Sequence, residues 1–214
     1  MTALDQAPAD FLFALGTLRE ARCRSELRLD EIPAPARLAP FAVALGAEVM
    51  GPGDGTPGAV HGPAAAALAP AAGSDDVELA TGRFILLHDP DGSEVWDGEF
   101  RIVTYIRAQL EPDMGNDEML GSVAWTWLVE ALENHRAPYR SAGGTATRVL
   151  SESFGTLADR PGAIDIELRA SWTPEGRDIG AHLEAWADMV CTFAGLPPLP
   201  EGVAVLPRRR PRPA

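Results

Sequence analysis

Three stretches of this chain bring together residue types that could do chemistry. His88-Asp89-Pro90-Asp91-Gly92 sets an imidazole beside two carboxylates and opens like a calcium-binding loop. Such a loop needs further oxygens at fixed offsets and a glutamate at its twelfth position. Counted from Asp89 that position is Phe100. The stretch therefore reads as a turn, in which Pro presets φ and Gly accepts φ > 0. Glu111, Asp113, Asp117 and Glu118 could act as paired acid–base carboxylates. They also precede a helical pattern, where carboxylates serve the cap and the dipole, and that account is preferred. Asp178, His182 and Glu184 share one predicted helix, with Asp178 and His182 four apart and hence neighbours. No HExxH and no second histidine at helical spacing accompanies them, so Asp178 is read as a cap and His182 as a histidine on the helix surface.

The absences are equally informative. Every basic side chain is arginine; the chain has no lysine. A P-loop lysine, a Schiff-base lysine and a Ser–Lys nucleophile pair are thereby excluded. The Gly51-Pro52-Gly53-Asp54-Gly55 run is a poor phosphate cradle, because it lacks that lysine and Asp54 would repel the ligand. GxSxG, GxGxxG after a strand and a supported Cys–His pair are missing too. No catalytic residue, metal ligand or cofactor is assigned. Cys23 and Cys191 form no CxxC and read as two separate, buried or partly buried thiols.

The net charge is −13, and the tail from Pro197 holds four arginines against one glutamate, so the preceding residues hold −16. A body that acidic repels phosphate backbones, which argues against nucleic-acid binding. The Arg208, Arg209, Arg210 and Arg212 tail is read as a solubilising end rather than a contact for an acidic partner. No apolar run reaches the roughly 20 residues of a membrane-spanning helix. The first ten residues carry Asp5 and Asp10 and no basic residue, unlike a secretory signal, so a cytoplasmic protein is expected.

The elements that would position these residues follow from periodicity. Pro8 to Arg22 repeats Phe11, Leu15 and Leu18 at helical spacing, with Asp10 as its cap. Glu26 to Pro40, with Pro33, Pro35 and Pro40, is expected to be an extended connector. Phe41 to Val49 alternates as a strand with Phe41, Val43, Leu45, Ala47 and Val49 on one side. Gly51 to Ser74, in which 18 of 24 residues are Gly, Pro or Ala, is expected to be a disordered loop. Val77 to His88 and Val95 to Gln109 form a long central hairpin around Asp89-Pro90-Asp91-Gly92, with a bulge at Gly98. An acidic linker from Glu111 to Glu118 leads into a helix ending near Arg136, whose core stripe includes Leu120, Ala124, Trp127 and Leu128. Ala142 to Phe154 is a mixed-polarity strand near an edge. Ala163 to Trp172 alternates cleanly, with Ile164, Ile166, Leu168, Ala170 and Trp172 on one face. Asp178 to Ala194 is the last helix, ended by Gly195 and Pro197-Pro198.

The expected fold class is α+β: an antiparallel sheet of about five strands with helices mainly on one face, in the order α-βββ-α-ββ-α. It would span residues 8–196 as one domain, with 197–214 as a disordered tail. Among the five tryptophans, Trp125 falls off its helix's core stripe; a contact residue would do so, but a broad apolar stripe on a helix covered on two sides is the preferred account.

Arg37-Leu38-Ala39-Pro40, Leu86 to Gly92, Val103-Thr104-Tyr105, Ala170 to Thr173, His182 to Trp186 and Ala194 to Pro198 together resemble an actinobacterial family filed as domain of unknown function 3000. The resemblance covers most of Phe11 to Pro198 and implies no activity and no functional residues. The element order also resembles type III secretion chaperones and YbjN-like proteins, an analogy of topology that implies a protein-binding module, often a homodimer.

Two functional classes follow. The first is a non-enzymatic interaction or regulatory module with a protein partner or a second copy of itself. The second is a small-ligand binder or enzyme with a pocket between sheet and helices, where His88, Arg169 and His182 are the polar groups to look at first. A closed polar pocket would favour the second, an exposed apolar patch the first.

Overall fold

A computed structural model describes residues 7–52, 76–110, 117–159 and 162–196. Among these, the elements run α1 (Ala9–Glu20), β1 (Leu27–Ile32), β2 (Phe41–Pro52), β3 (Asp76–Ser93), β4 (Gly98–Leu110), α2 (Leu120–Asn134), β5 (Tyr139–Ser151), β6 (Ala163–Pro174) and α3 (Ile179–Phe193). The strands form one sheet in the order β1-β2-β3-β4-β6-β5. Every neighbouring pair is antiparallel. The fold is α+β with its helices on one side of the sheet, as the alternation of β6 implies.

The sheet has six strands, one more than expected, so the order is α-ββββ-α-ββ-α. The added strand is β1, which lies inside the stretch read as a connector. It pairs Leu27 with Val49 and Leu29 with Ala47. Its outward residues, Arg28 and Asp30, bond each other at 2.8 Å. A short edge strand buries little, so its alternation of Leu27 and Leu29 is a weak signal beside three prolines.

The central hairpin turns later than expected. Gly92 does have φ +76, and Asp89 Oδ1 accepts from the Asp91 backbone N–H at 3.2 Å. Yet Pro90-Asp91-Gly92 is an irregularity within β3, and the chain reverses after Ser93, which pairs with Gly98. Register explains why. The observed pairing sets Phe84 opposite Thr104 and Leu86 opposite Ile102. A reversal centred on residues 89–92 would shift the pairing by an odd number and turn Arg101, Tyr105 and Arg107 into the core. The observed one sends in Phe100, Ile102 and Ile106 instead. The turn signal overlooked is Asp97-Gly98, with Asp97 at φ +56. Gly98 starts β4 and is not a bulge.

α3 lies across the sheet and carries the core. Ile179, Leu183, Trp186 and Val190 are fully buried, each contributing about 1.5–3 kcal/mol by leaving water. Trp186 rests on Gly82, where a Cβ would come within 2.6 Å of its ring. The N-terminus of α3 is capped twice: Asp178 Oδ1 accepts from Ala181 at 3.4 Å, and Thr17 of α1 accepts from Ile179 and Gly180 at 3.1 and 3.3 Å. Asp178 is thus the cap expected. Asp10 instead pairs with Arg177 at 3.0 Å. α2 packs on α3 and on β5, where Trp125 meets Gly144. Leu132 of α2 is fully buried.

The Gly/Ala/Pro-rich loop beyond Pro52, residues 111–116 of the acidic linker, and the arginine tail lie outside the described residues. Among the described residues no helix is long and apolar enough to cross a membrane.

Candidate functional site

The helix-covered side of the sheet takes two of the residues singled out in the sequence. His182 is fully buried rather than on the helix surface. The indole of Trp172 donates to its Nδ1 at 3.2 Å. Indole can only donate, so the His182 proton sits on Nε2, which has no partner. Burial lowers its pKa to about 4. His88 is buried in an aromatic box, 4.3 Å from the Phe100 ring and 5.7 Å from Phe11, with neither ring nitrogen bonded. Trp125 is half-buried against β5. Burial pushes the Cys23 thiol up to about 12 and Cys191 to about 11, so both stay protonated at neutral pH. Both are free, Cys191 buried and Cys23 partly so.

A second titratable group joins the C-terminal end of α2 to the middle of α3. His135 Nε2 meets Asp188 at 2.8 Å, and Nδ1 lies 3.6 Å from Glu184. The hydrogen bond to Asp188 raises the His135 pKa. Sequence spacing could not pair His135 with residues some 50 positions away. Its role is to tie two helices together.

Arg169, the fourth residue singled out, lies on the other side of the sheet. Among the described residues no helix covers that face. Strand register places its side chains in rows, because residues paired across strands share a face. One row is Arg83, Tyr105, Arg169 and Thr145; the next is Ile85, Val103, Ser171 and Gly143; the third includes Leu87, Arg101 and Thr173. Over the first two rows lies an open trough of about 580 Å³ lined by Arg83, Ile85, Val103, Tyr105, Arg169 and Ser171, and the third row, in which Leu87 and Thr173 are buried, bounds it. The floor is apolar or small, and Gly143 keeps it low at β5. Toward β2 the same face closes, since Ala44 and Leu87 are buried.

The trough's charges are unevenly satisfied. Arg169 stacks 5.3 Å over the Tyr105 ring and bonds Glu167 at 2.6 Å, while Tyr105 donates to the other Glu167 oxygen at 3.0 Å. Arg107 bonds Asp165 at 2.7 Å. Arg101 has no carboxylate. It donates to the Ser141 carbonyl at 2.8 Å, to Thr173 at 3.1 Å and to Ser171 at 2.7 Å, and burial lowers its pKa. Ser141, at φ +51, sits in the β5 irregularity that turns its carbonyl toward Arg101. Arg83 is exposed and bonds nothing among the described residues. Within residues 81–87, 101–109 and 165–173 of the central strands this face therefore sets four guanidiniums against two carboxylates, with Glu99 next along β4 from Arg101, in a chain whose net charge is −13.

Residues 7–204 match the model of the family described as protein of unknown function DUF3000. The chain belongs to that family. Neither a curated protein nor a solved structure matches it. For this DUF3000 member, then, the site is argued from its own geometry. Of the four residues named in advance, the fold puts Arg169 alone in the trough and sends His88 and His182 into the core. Arg83 and Arg101 were missed. Their signal was present in the alternation of β3 and β4, where arginine repeatedly occupies the side opposite Phe84, Leu86, Ile102 and Ile106.

Proposed function

We propose that this chain is a non-enzymatic binding module that engages a protein partner through the uncovered face of its sheet. The observation that carries the reading is Arg83: an exposed guanidinium without a partner among the described residues, set beside the apolar Ile85–Val103 floor and the Arg169–Tyr105 stack. An unpaired cation costs little at a wet surface and gains a charge-assisted bond when an anionic group arrives. Among the described residues this face offers few reactive groups: hydroxyls, guanidiniums and carboxylates, with no nucleophile held against a base. Residues 8–196 act as one unit in this reading, and a cytoplasmic setting fits the two free thiols.

The test is capture from the native host with three versions of the full chain: wild type, Arg83→Glu, and Arg19→Glu on exposed α1 as a charge-matched control. A partner recovered by wild type and by Arg19→Glu, and lost with Arg83→Glu, is the expected result. A partner list indifferent to Arg83 would remove this face from consideration.

A further inference from the structure

Building on the binding reading above, we infer that the trough receives an acidic amphipathic helix from the partner. Its dimensions point there. By strand register the Arg83 row and Arg101 stand two residues to either side of the Ile85–Val103–Ser171 floor, about 13 Å apart at ~3.3 Å per residue; Arg101 alone marks the far margin, because Leu87 and Thr173 beside it are buried. An α-helix with its side chains is about 10–12 Å across. The trough crosses β3, β4, β6 and β5. At ~4.8 Å between strands that is about 14 Å, the length of roughly nine or ten helical residues. A single extended strand would underfill the width, and a small anion would leave the floor wet.

Charge selects the helix's margin. Arg83 on β3 and Arg169 on β6 lie two strand spacings apart in one row, about 10 Å, which corresponds to carboxylates seven residues apart along one flank of a helix. Tyr105 stands between them. Arg169 uses one nitrogen on Glu167 and keeps further donors. On the opposite margin Arg101 is held by hydroxyls and a carbonyl and faces no carboxylate. Glu167 and Asp165 on β6 are bound to arginine or tyrosine already, and Asp30 and Glu48, which share this face beyond Arg83 on β1 and β2, pair with Arg28. The rest of the acidic chain repels such a helix, so the field favours docking here. The floor side chains are small or aliphatic, which suits alanine and leucine between the glutamates, in the manner of helix-in-groove recognition.

The probe is a synthetic Ala/Leu peptide of about 16 residues, long enough to hold helix, with glutamates seven apart along one flank. Three comparison probes accompany it: the same peptide with a central proline that breaks the helix, its lysine-for-glutamate version, and inorganic phosphate. Amide NMR on the full chain reads binding at Arg83, Val103, Tyr105 and Ser171. We expect saturable shifts at these residues with the acidic helical peptide, affinity about tenfold weaker for Arg83→Glu, and no change for Arg19→Glu. Equal shifts from the proline-broken peptide or from phosphate would overturn the helix and leave the face as a general anion site. Binding of the lysine peptide as tightly as the acidic one, or no response to any probe, would also overturn it. The binding reading itself falls separately, if native capture ignores Arg83.

Discussion

His182 and His135 show how one residue type acquires opposite roles. His182 is neutral because burial holds its pKa near 4, against about 6.5 in an unfolded chain. Its contribution is complete above pH 6.5 and is lost as pH falls through the folded value, at a total of about 3 kcal/mol. His135 is shifted the other way: the hydrogen bond to Asp188 raises its pKa against the opposing effect of its own desolvation, and the charges of Asp188 and Glu184 add to the rise. Its contribution is complete below pH 6.5 and is lost as pH rises through its raised folded value. Urea unfolding between pH 4 and pH 9 checks both. His182→Asn, which keeps an acceptor for the Trp172 indole, should flatten the acid side of the stability curve. His135→Gln should cost more at pH 6 than at pH 9. A wild-type and a His182→Asn curve that run parallel below pH 6.5 would show that the buried imidazole is not what acid attacks.

At the scale of elements, the joint between α1 and α3 is the sharpest constraint. Thr17 Oγ1 accepts from two amides at the start of α3 and donates to the Ala14 carbonyl at 2.9 Å. Gly180 lets the helices touch, since a Cβ there would lie 2.7 Å from the Thr17 carbonyl oxygen. Thr17→Val keeps the shape and leaves two helix-start amides unpaired, at a cost of about 1–2 kcal/mol. Gly180→Ala forces the helices apart, at about 1–3 kcal/mol. Because each change loosens the same contact, the double variant should lose less than the two costs added. Denaturant titration of the four proteins measures the difference. Strict additivity would mean that the two residues do not share a joint.

For the molecule as a whole, the sheet divides labour between its faces: one builds the core under three helices, the other gathers arginines in an otherwise acidic chain. Salt should act on the two in opposite senses. Screening the self-repulsion of a −13 chain raises its melting temperature by about a few degrees between low salt and 0.5 M, while binding at the arginine face weakens. A melting temperature that falls with salt would mean that ion pairs such as Arg107–Asp165 outweigh the repulsion. Much of this division was legible in the sequence. Periods of two and of 3.6 placed β6, α3 and the inward faces of β2 and β6, because side-chain direction follows from backbone geometry alone. The charge, the missing lysine and the lack of any known catalytic spacing were equally plain. Tertiary structure decided the rest. It moved the central reversal from Asp91-Gly92 to Asp97-Gly98, since two turn signals compete locally and only the register that buries Phe100, Ile102 and Ile106 breaks the tie. It sent His182 inward, because a helix covered on several sides leaves no polar face at that position. It also set Arg83 beside Arg169, 86 positions away in the chain, because pairing through β4 brings distant residues into one row and no local pattern encodes that proximity.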